Sequence, residues 1–122
     1  MDYLHDGGKF VMPIQRMESA ADCSGLVAEH PAVALYFTGP NCAVCHSLKP
    51  RIEALFDEEF PSIQIAVADI GQLPELSGQY QVFSLPTLIG FFDGRESFRF
   101  SRAFGLGQVR DALVRPYAIY FE

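Results

Sequence analysis

Apolar residues recur along this chain with two different periods. A continuous run, Ala32 to Phe37, lies between Pro31 and Gly39-Pro40, as expected of a strand covered on both faces in a parallel sheet. The next stretch has a helical period: Cys45, Leu48, Ile52, Leu55 and Phe56 share one face, while Arg51, Glu53, Asp57 and Glu58 point away. Pro50 falls inside this helix, where it removes the bond to the His46 carbonyl and predicts a kink. Ile63 to Ala68 is a second apolar run, and a strand reached through a helix returns parallel to the first by a right-handed crossover. Thr87 to Phe92 and Ser97 to Phe100 flank Asp93-Gly94, a strong hairpin signal. Leu106, Val109, Leu113 and Tyr117 form a last helical stripe, expected to end or bend near Arg115 because Pro116 follows.

Weaker signals fill the gaps. Residues 1–9, with Gly7 and Gly8, read as a flexible N-terminus. Phe10 to Ile14 reads as a short edge strand, where Pro13 need not donate a hydrogen bond. Met17 to Glu29 is a first helix closed by His30 and Pro31, weakened at Gly25 by about 1 kcal/mol relative to alanine. Gln72 to Tyr80, with Pro74 near its start, is a short helix. The resulting order, β-α-β-α-β-α-β-β-α, predicts an α/β fold over residues 10–122 as one domain: a mixed central sheet with helices on both faces.

Composition narrows the function. With 49% hydrophobic residues, eleven Phe and five Tyr in 122 residues, there is ample material for a buried core. A net charge of −6 argues against binding nucleic acid. Five of the nine basic residues, Arg95, Arg99, Arg102, Arg110 and Arg115, are nevertheless gathered after residue 94. They read as a solvated face, with a docking patch for an acidic partner as the alternative. No apolar run reaches the roughly 18 to 20 residues of a membrane span, and the N-terminus is acidic where a signal peptide is basic, so a cytoplasmic protein without membrane contact is expected. In that compartment thiols are kept reduced, and three cysteines with two in C-x-x-C point to redox chemistry or metal binding rather than a structural framework.

The chemistry concentrates between Pro40 and His46. Cys42 follows Asn41, a favoured N-cap, and is therefore expected in the first helical turn, where free N–H groups and the helix dipole stabilise a thiolate. Lowering a thiol pKa from about 8.5 to about 7 raises its ionised fraction at neutral pH from roughly 3% to about half. Cys42 is thus the expected nucleophile. Cys45 lies one turn deeper beside Leu48 and Ile52, where burial keeps it protonated until it attacks a mixed disulfide on Cys42. His46, four residues after Cys42, could support the thiolate, although an exposed histidine without a role is the plainer reading. Cys23 reads as a small buried hydrophobe and Asp69 as a structural cap at a strand end. The run Cys42 to His46 also fits the C-x-x-C-H haem-attachment pattern, but that attachment follows export; one C-x-x-C supplies half a zinc site, and Cys23, His5 and His30 lack the spacing to complete it. Neither a cofactor nor a metal is expected. The apolar segment Pro116 to Glu122 is expected to pack back on the domain, with self-association as the alternative, giving a monomer or weak homodimer.

A strand ending just before C-x-x-C, Pro50 five residues after the second cysteine, and Leu85-Pro86-Thr87 opening the antiparallel hairpin together resemble the thioredoxin family over residues 10–115. The resemblance implies a thioredoxin-like three-layer sandwich in which Pro86 is cis and faces the cysteine pair, with Leu85 offering backbone hydrogen bonds to an extended substrate. It also places Pro40, Asn41, Ala43 and Val44 around the substrate groove. Departures are clear. The family commonly has tryptophan before the first cysteine and Gly-Pro between the two, whereas Asn41 and Ala43-Val44 stand here, and the chain has no tryptophan. A family aspartate that assists the second cysteine corresponds to Tyr36, a poor base at its usual pKa near 10.

These features predict a thiol:disulfide oxidoreductase that reduces or exchanges protein or small-molecule disulfides through Cys42 and Cys45 and is restored by an electron-donating reductase. The alternative is a thioredoxin-fold peptide-binding or chaperone-like module with little redox turnover, suggested by the missing aspartate and tryptophan.

Overall fold

The computed structural model describes residues 14–122. Its elements are β1 (Gln15–Arg16), α1 (Ala20–Glu29), β2 (Ala32–Thr38), α2 (Ala43–Glu59), β3 (Gln64–Asp69), α3 (Glu75–Tyr80), β4 (Thr87–Phe92), β5 (Arg95–Ser101) and α4 (Leu106–Phe121). The strands form one mixed sheet in the order β1-β3-β2-β4-β5. All seven residues of β2 are buried, as their continuous apolar run requires. This central strand runs parallel to β3, with Tyr36 opposite Val67, and antiparallel to β4, with Tyr36 opposite Leu88.

Alternation along β2 divides the interior. Ala32, Ala34 and Tyr36 pack with Leu48, Ile52 and Phe56 of α2 and with Val109, Leu113 and Tyr117 of α4. Val33, Leu35 and Phe37 face the other way, toward Cys23 of α1 and Leu76 of α3. The sheet is thus the middle of three layers, with α2 and α4 on one side and α1 and α3 on the other. Among the described residues, no helix is long and apolar enough to cross a membrane.

The hairpin turn follows its residue types: Asp93 and Gly94 both adopt positive φ, 53° and 77°, as a two-residue turn matched to strand twist demands. Gly90 in β4 is opposite Phe98 in β5, next to a register shift between Gly90 and Phe91. A Cβ on Gly90 would overlap the Phe98 ring, so the phenyl group occupies the space a side chain would need.

Several boundaries differ from the sequence expectation. The edge strand expected over Phe10 to Ile14 lies outside the described residues except for Ile14, and the described edge strand is Gln15–Arg16, paired with β3. Helix α1 starts at Ala20 rather than Met17, because Ser19 caps it by accepting the Asp22 N–H at 3.0 Å, while the Glu18 N–H donates to the Asp22 carboxylate at 3.1 Å. Met17 is pulled out of the helix to bond the Val67 carbonyl at 2.9 Å. Helix α3 begins at Glu75 rather than Gln72, since the Gln72 and Leu73 amides are engaged by the Asp69 carbonyl.

The clearest correction is α4, which does not end at Arg115 but continues through Pro116 to Phe121. Proline frees the carbonyl one turn back, at Ala112, which is exposed and open to water. Tertiary contacts then outweigh the local penalty. Tyr117 is 8% exposed, its hydroxyl accepts the Ser62 N–H at 2.9 Å, and its ring meets Phe60 edge-on at 5.1 Å. The Tyr120 hydroxyl donates to the Asp93 carboxylate at the hairpin tip, so this apolar segment packs back on the fold.

Of the five C-terminal arginines, Arg95, Arg102, Arg110 and Arg115 are exposed, and Arg99 is half-buried. Arg99 bonds Glu96 and donates to the carbonyls of Tyr80 and Gln81 at 2.8 and 3.0 Å, tying β5 to the end of α3. Its guanidinium holds the Glu96 carboxyl below its usual range. Arg110 pairs with Glu59 at 2.6 Å, joining α4 to α2. Cys23 is fully buried, and burial, then the Asp22 charge, pushes its thiol up to about 11, so it stays protonated and packs as an apolar group.

Candidate active site

Two glycines let the site close up. Gly39 ends the chain segment leaving β2, and a Cβ there would lie 2.8 Å from Leu85 Cδ1; one on Gly71 would lie 2.5 Å from Pro40 Cδ. Only backbone without side chains allows Leu85 and Pro40 to approach this closely. The Gly71 N–H also donates to Asp69 Oδ1 at 2.8 Å, giving Asp69 the structural role expected of it.

The start of α2 differs from the expected capping by one residue. Asn41 is not the N-cap: its φ is 59°, in the left-handed region that asparagine tolerates better than most residues. Cys42 itself is the N-cap, and its Sγ accepts the N–H of Cys45 at 3.3 Å. A cap bonds the amide three residues on, so the C-x-x-C spacing places the second cysteine's amide against the first cysteine's sulfur. That amide and the helix dipole both favour negative charge on Cys42.

The two sulfurs are joined as a disulfide, with Cα atoms 5.3 Å apart. Cys42 is half-buried and Cys45 is fully buried on the inner face of α2. Between them, Ala43 is exposed and Val44 is 57% exposed. His46 is exposed as well; its backbone N–H donates to the Cys42 carbonyl at 3.2 Å, and among the described residues its imidazole makes no hydrogen bond.

Tyr36 reaches the pair from below. It is fully buried in β2, and its hydroxyl donates to the Cys45 carbonyl at 2.7 Å. Burial pushes the phenol up to about 12, so at neutral pH it is a donor to the helix backbone and accepts no proton from Cys45. Replacing Tyr36 by Phe is expected to cost about 1 kcal/mol, the net value of one such bond, read as a lower urea midpoint with an unchanged m-value. An unchanged midpoint would mean that the bond contributes nothing.

The Leu85–Pro86 peptide is cis. Pro86 is buried, and its carbonyl accepts the Arg102 N–H at 2.8 Å. The Thr87 hydroxyl donates to the Ser84 carbonyl at 2.7 Å, bracing the loop from the other side. Through Gly39 and Leu85 this loop meets the end of β2, so the structure brings Pro40, Leu85 and the strand preceding the cysteines together. Sequence reasoning passed over Phe83, which is 83% exposed and lines, with Ile70, Val82 and Leu85, a shallow depression of about 480 Å³. An aromatic residue two positions before Leu85-Pro86 was the available signal.

Comparisons with known proteins agree with this geometry. The family model described as Thioredoxin matches residues 17–114. The chain is 29% identical over 104 residues to the thioredoxin-like protein YdfQ of Bacillus subtilis, covering 85% of this chain and 92% of that protein. It is 39% identical over 83 residues to a thioredoxin of Chlamydia trachomatis, covering 68% and 76% of the two chains. Among solved structures, Fasciola hepatica thioredoxin aligns with a TM-score of 0.74 and 29% identity over 84% of this chain and 98% of that one.

Proposed function

The chain belongs to the thioredoxin family and is a thiol:disulfide oxidoreductase acting through Cys42 and Cys45, and we propose that Cys42 is its attacking thiol and Cys45 its resolving thiol. The observation that carries this division is their unequal setting: Cys42, half-buried, receives an N–H at the helix start, while Cys45 is fully buried. In the reduced protein the Cys42 thiolate attacks one sulfur of a substrate disulfide, expelling the other as a thiolate that takes up a proton. Cys45 then loses its proton and attacks the Cys42 sulfur, releasing the second substrate thiol and leaving the Cys42–Cys45 disulfide. Two electrons pass to the substrate, and a dithiol reductase returns them.

Pro40, Asn41, Ala43, Val44, Leu85 and Pro86 are proposed to form the substrate surface. Leu85 and Pro86 would offer backbone to an extended peptide, with Val44 and Phe83 meeting its apolar side chains. A cytoplasmic location is proposed because the cycle needs a supply of reducing equivalents. The exposure of Phe83 also favours a second reading, peptide binding with little redox turnover. Trapping separates the two. Reduced Cys45→Ser protein mixed with a disulfide peptide is expected to gain the mass of one half-peptide per chain, while Cys42→Ser gains none. An adduct that forms equally on Cys42→Ser would reverse the assignment, and no adduct on either would favour the binding reading.

A further inference from the structure

Between α2 and the connection from β5 to α4 lies an open cavity of about 430 Å³, lined by Val44, Leu48 and Arg51 of the one and Arg102 and Phe104 of the other. Val44 stands between the two cysteines in sequence, and the Arg102 amide bonds the Pro86 carbonyl at 2.8 Å, so one lining residue from each side of the cavity is tied directly to the redox site. Its charge is one-sided: both charged residues lining it are arginines, and no carboxylate does. This stands out in a chain of net charge −6.

Arg16, Arg99 and Arg110 each pair with a carboxylate. Among the described residues neither Arg51 nor Arg102 does, and neither guanidinium makes a hydrogen bond. Arg102 moreover adopts φ 66°, a left-handed conformation that is costly for arginine and free for glycine. The turn therefore supplies no reason for a side chain at this position.

We propose that this cavity is a carboxylate-binding subsite that selects disulfide substrates carrying a carboxylate close to the target sulfur. A guanidinium offers paired donors that match a carboxylate, and Leu48 and Phe104 supply apolar surface beside them, while both arginines are exposed, so their attraction for an anion is weakened by salt. The inference rests on the oxidoreductase reading and deepens it by naming the substrate class.

The test uses the full chain, reduced with dithiothreitol, and disulfide peptides that differ only in having Glu, Gln or Lys beside the cysteine. Each rate is normalised to direct reduction of the same peptide by dithiothreitol. The native protein is expected to prefer the Glu over the Gln peptide by about fivefold at low ionic strength, with the ratio approaching one in about 0.5 M salt. The ratio is expected to fall to about one in R51Q/R102Q, and R51E/R102E is expected to prefer the Lys peptide, a reversal that structural damage would not produce. Oxidised glutathione against its ethyl ester forms a second arm: preference for the free acid there, without one among the peptides, assigns the carboxylate to a small-molecule disulfide. A native ratio near one in both arms, or a preference that survives in R51Q/R102Q, overturns the proposal. Failure to reduce any of these disulfides would overturn the oxidoreductase reading, and this one with it.

Discussion

Cys42→Ser is expected to lower dithiothreitol-primed disulfide reduction by about a thousandfold or more, with a melting temperature close to that of the reduced native protein. The magnitude follows from removing the nucleophile, since a hydroxyl is scarcely ionised at neutral pH where a capped thiol is. The cap contributes directly. Cys45 N–H points at the Cys42 sulfur, and the remaining amides of the first turn of α2 point the same way. Cys45→Ser should behave differently, losing turnover but completing the first exchange, because its hydroxyl cannot displace a substrate from Cys42. Rates of covalent capture and of steady-state reduction, measured side by side, distinguish the two losses. Residual turnover within tenfold of the native rate in Cys42→Ser would show that another thiol attacks, and full burial leaves Cys23 a poor candidate.

The largest stability effect is expected at Gly90→Ala, about 3 kcal/mol, read as a lower urea midpoint. A methyl group there overlaps the Phe98 ring, which belongs to the strand directly opposite. The strand must shift, or the ring must swing into solvent and give up its contacts with Phe100 and the core beneath α2 and α4. Overpacking of this kind costs about 1 to 3 kcal/mol, and exposing a phenyl group adds about 1.5 to 3. The double variant Gly90→Ala, Phe98→Ala should lose less than the sum of its singles, because the second change removes the ring with which the first collides. Strictly additive losses would rule out the collision as the cause.

Much of the framework was legible from hydrophobic period. The run at Ala32 to Phe37 became the buried central strand, and Cys45, Leu48, Ile52 and Phe56 became the buried stripe of α2. Asp93-Gly94 turned where its residue types require. Other features depend on contacts between distant segments. Pro116 looked like a helix end because the Ser62 and Phe60 contacts of Tyr117 lie more than fifty positions away. Asn41 looked like an N-cap by residue type, but the folded chain holds it at positive φ and gives the cap to Cys42. Tyr36 could be recognised as a poor base from its chemistry, but not as the donor that holds Cys45's backbone. Arg51 and Arg102 belong to different elements, and only the packing of α2 beside the β5–α4 connection brings them to one cavity.

The split of β2 between two interiors also makes the sheet a ruler for the redox helix. Tyr36 meets the Cys45 carbonyl only because its side chain takes the α2 side at that step of the pleat, with Leu35 and Phe37 taking the other. Slipping the strand by one residue would present a plain hydrocarbon beneath the resolving cysteine and turn the phenol toward α1 and α3, where Leu35 and Phe37 now pack. Strand registry and thiol chemistry are therefore read from the same alternation, so an insertion in β2 should disturb the electron-transfer end of the molecule even if every residue near the sulfurs were retained.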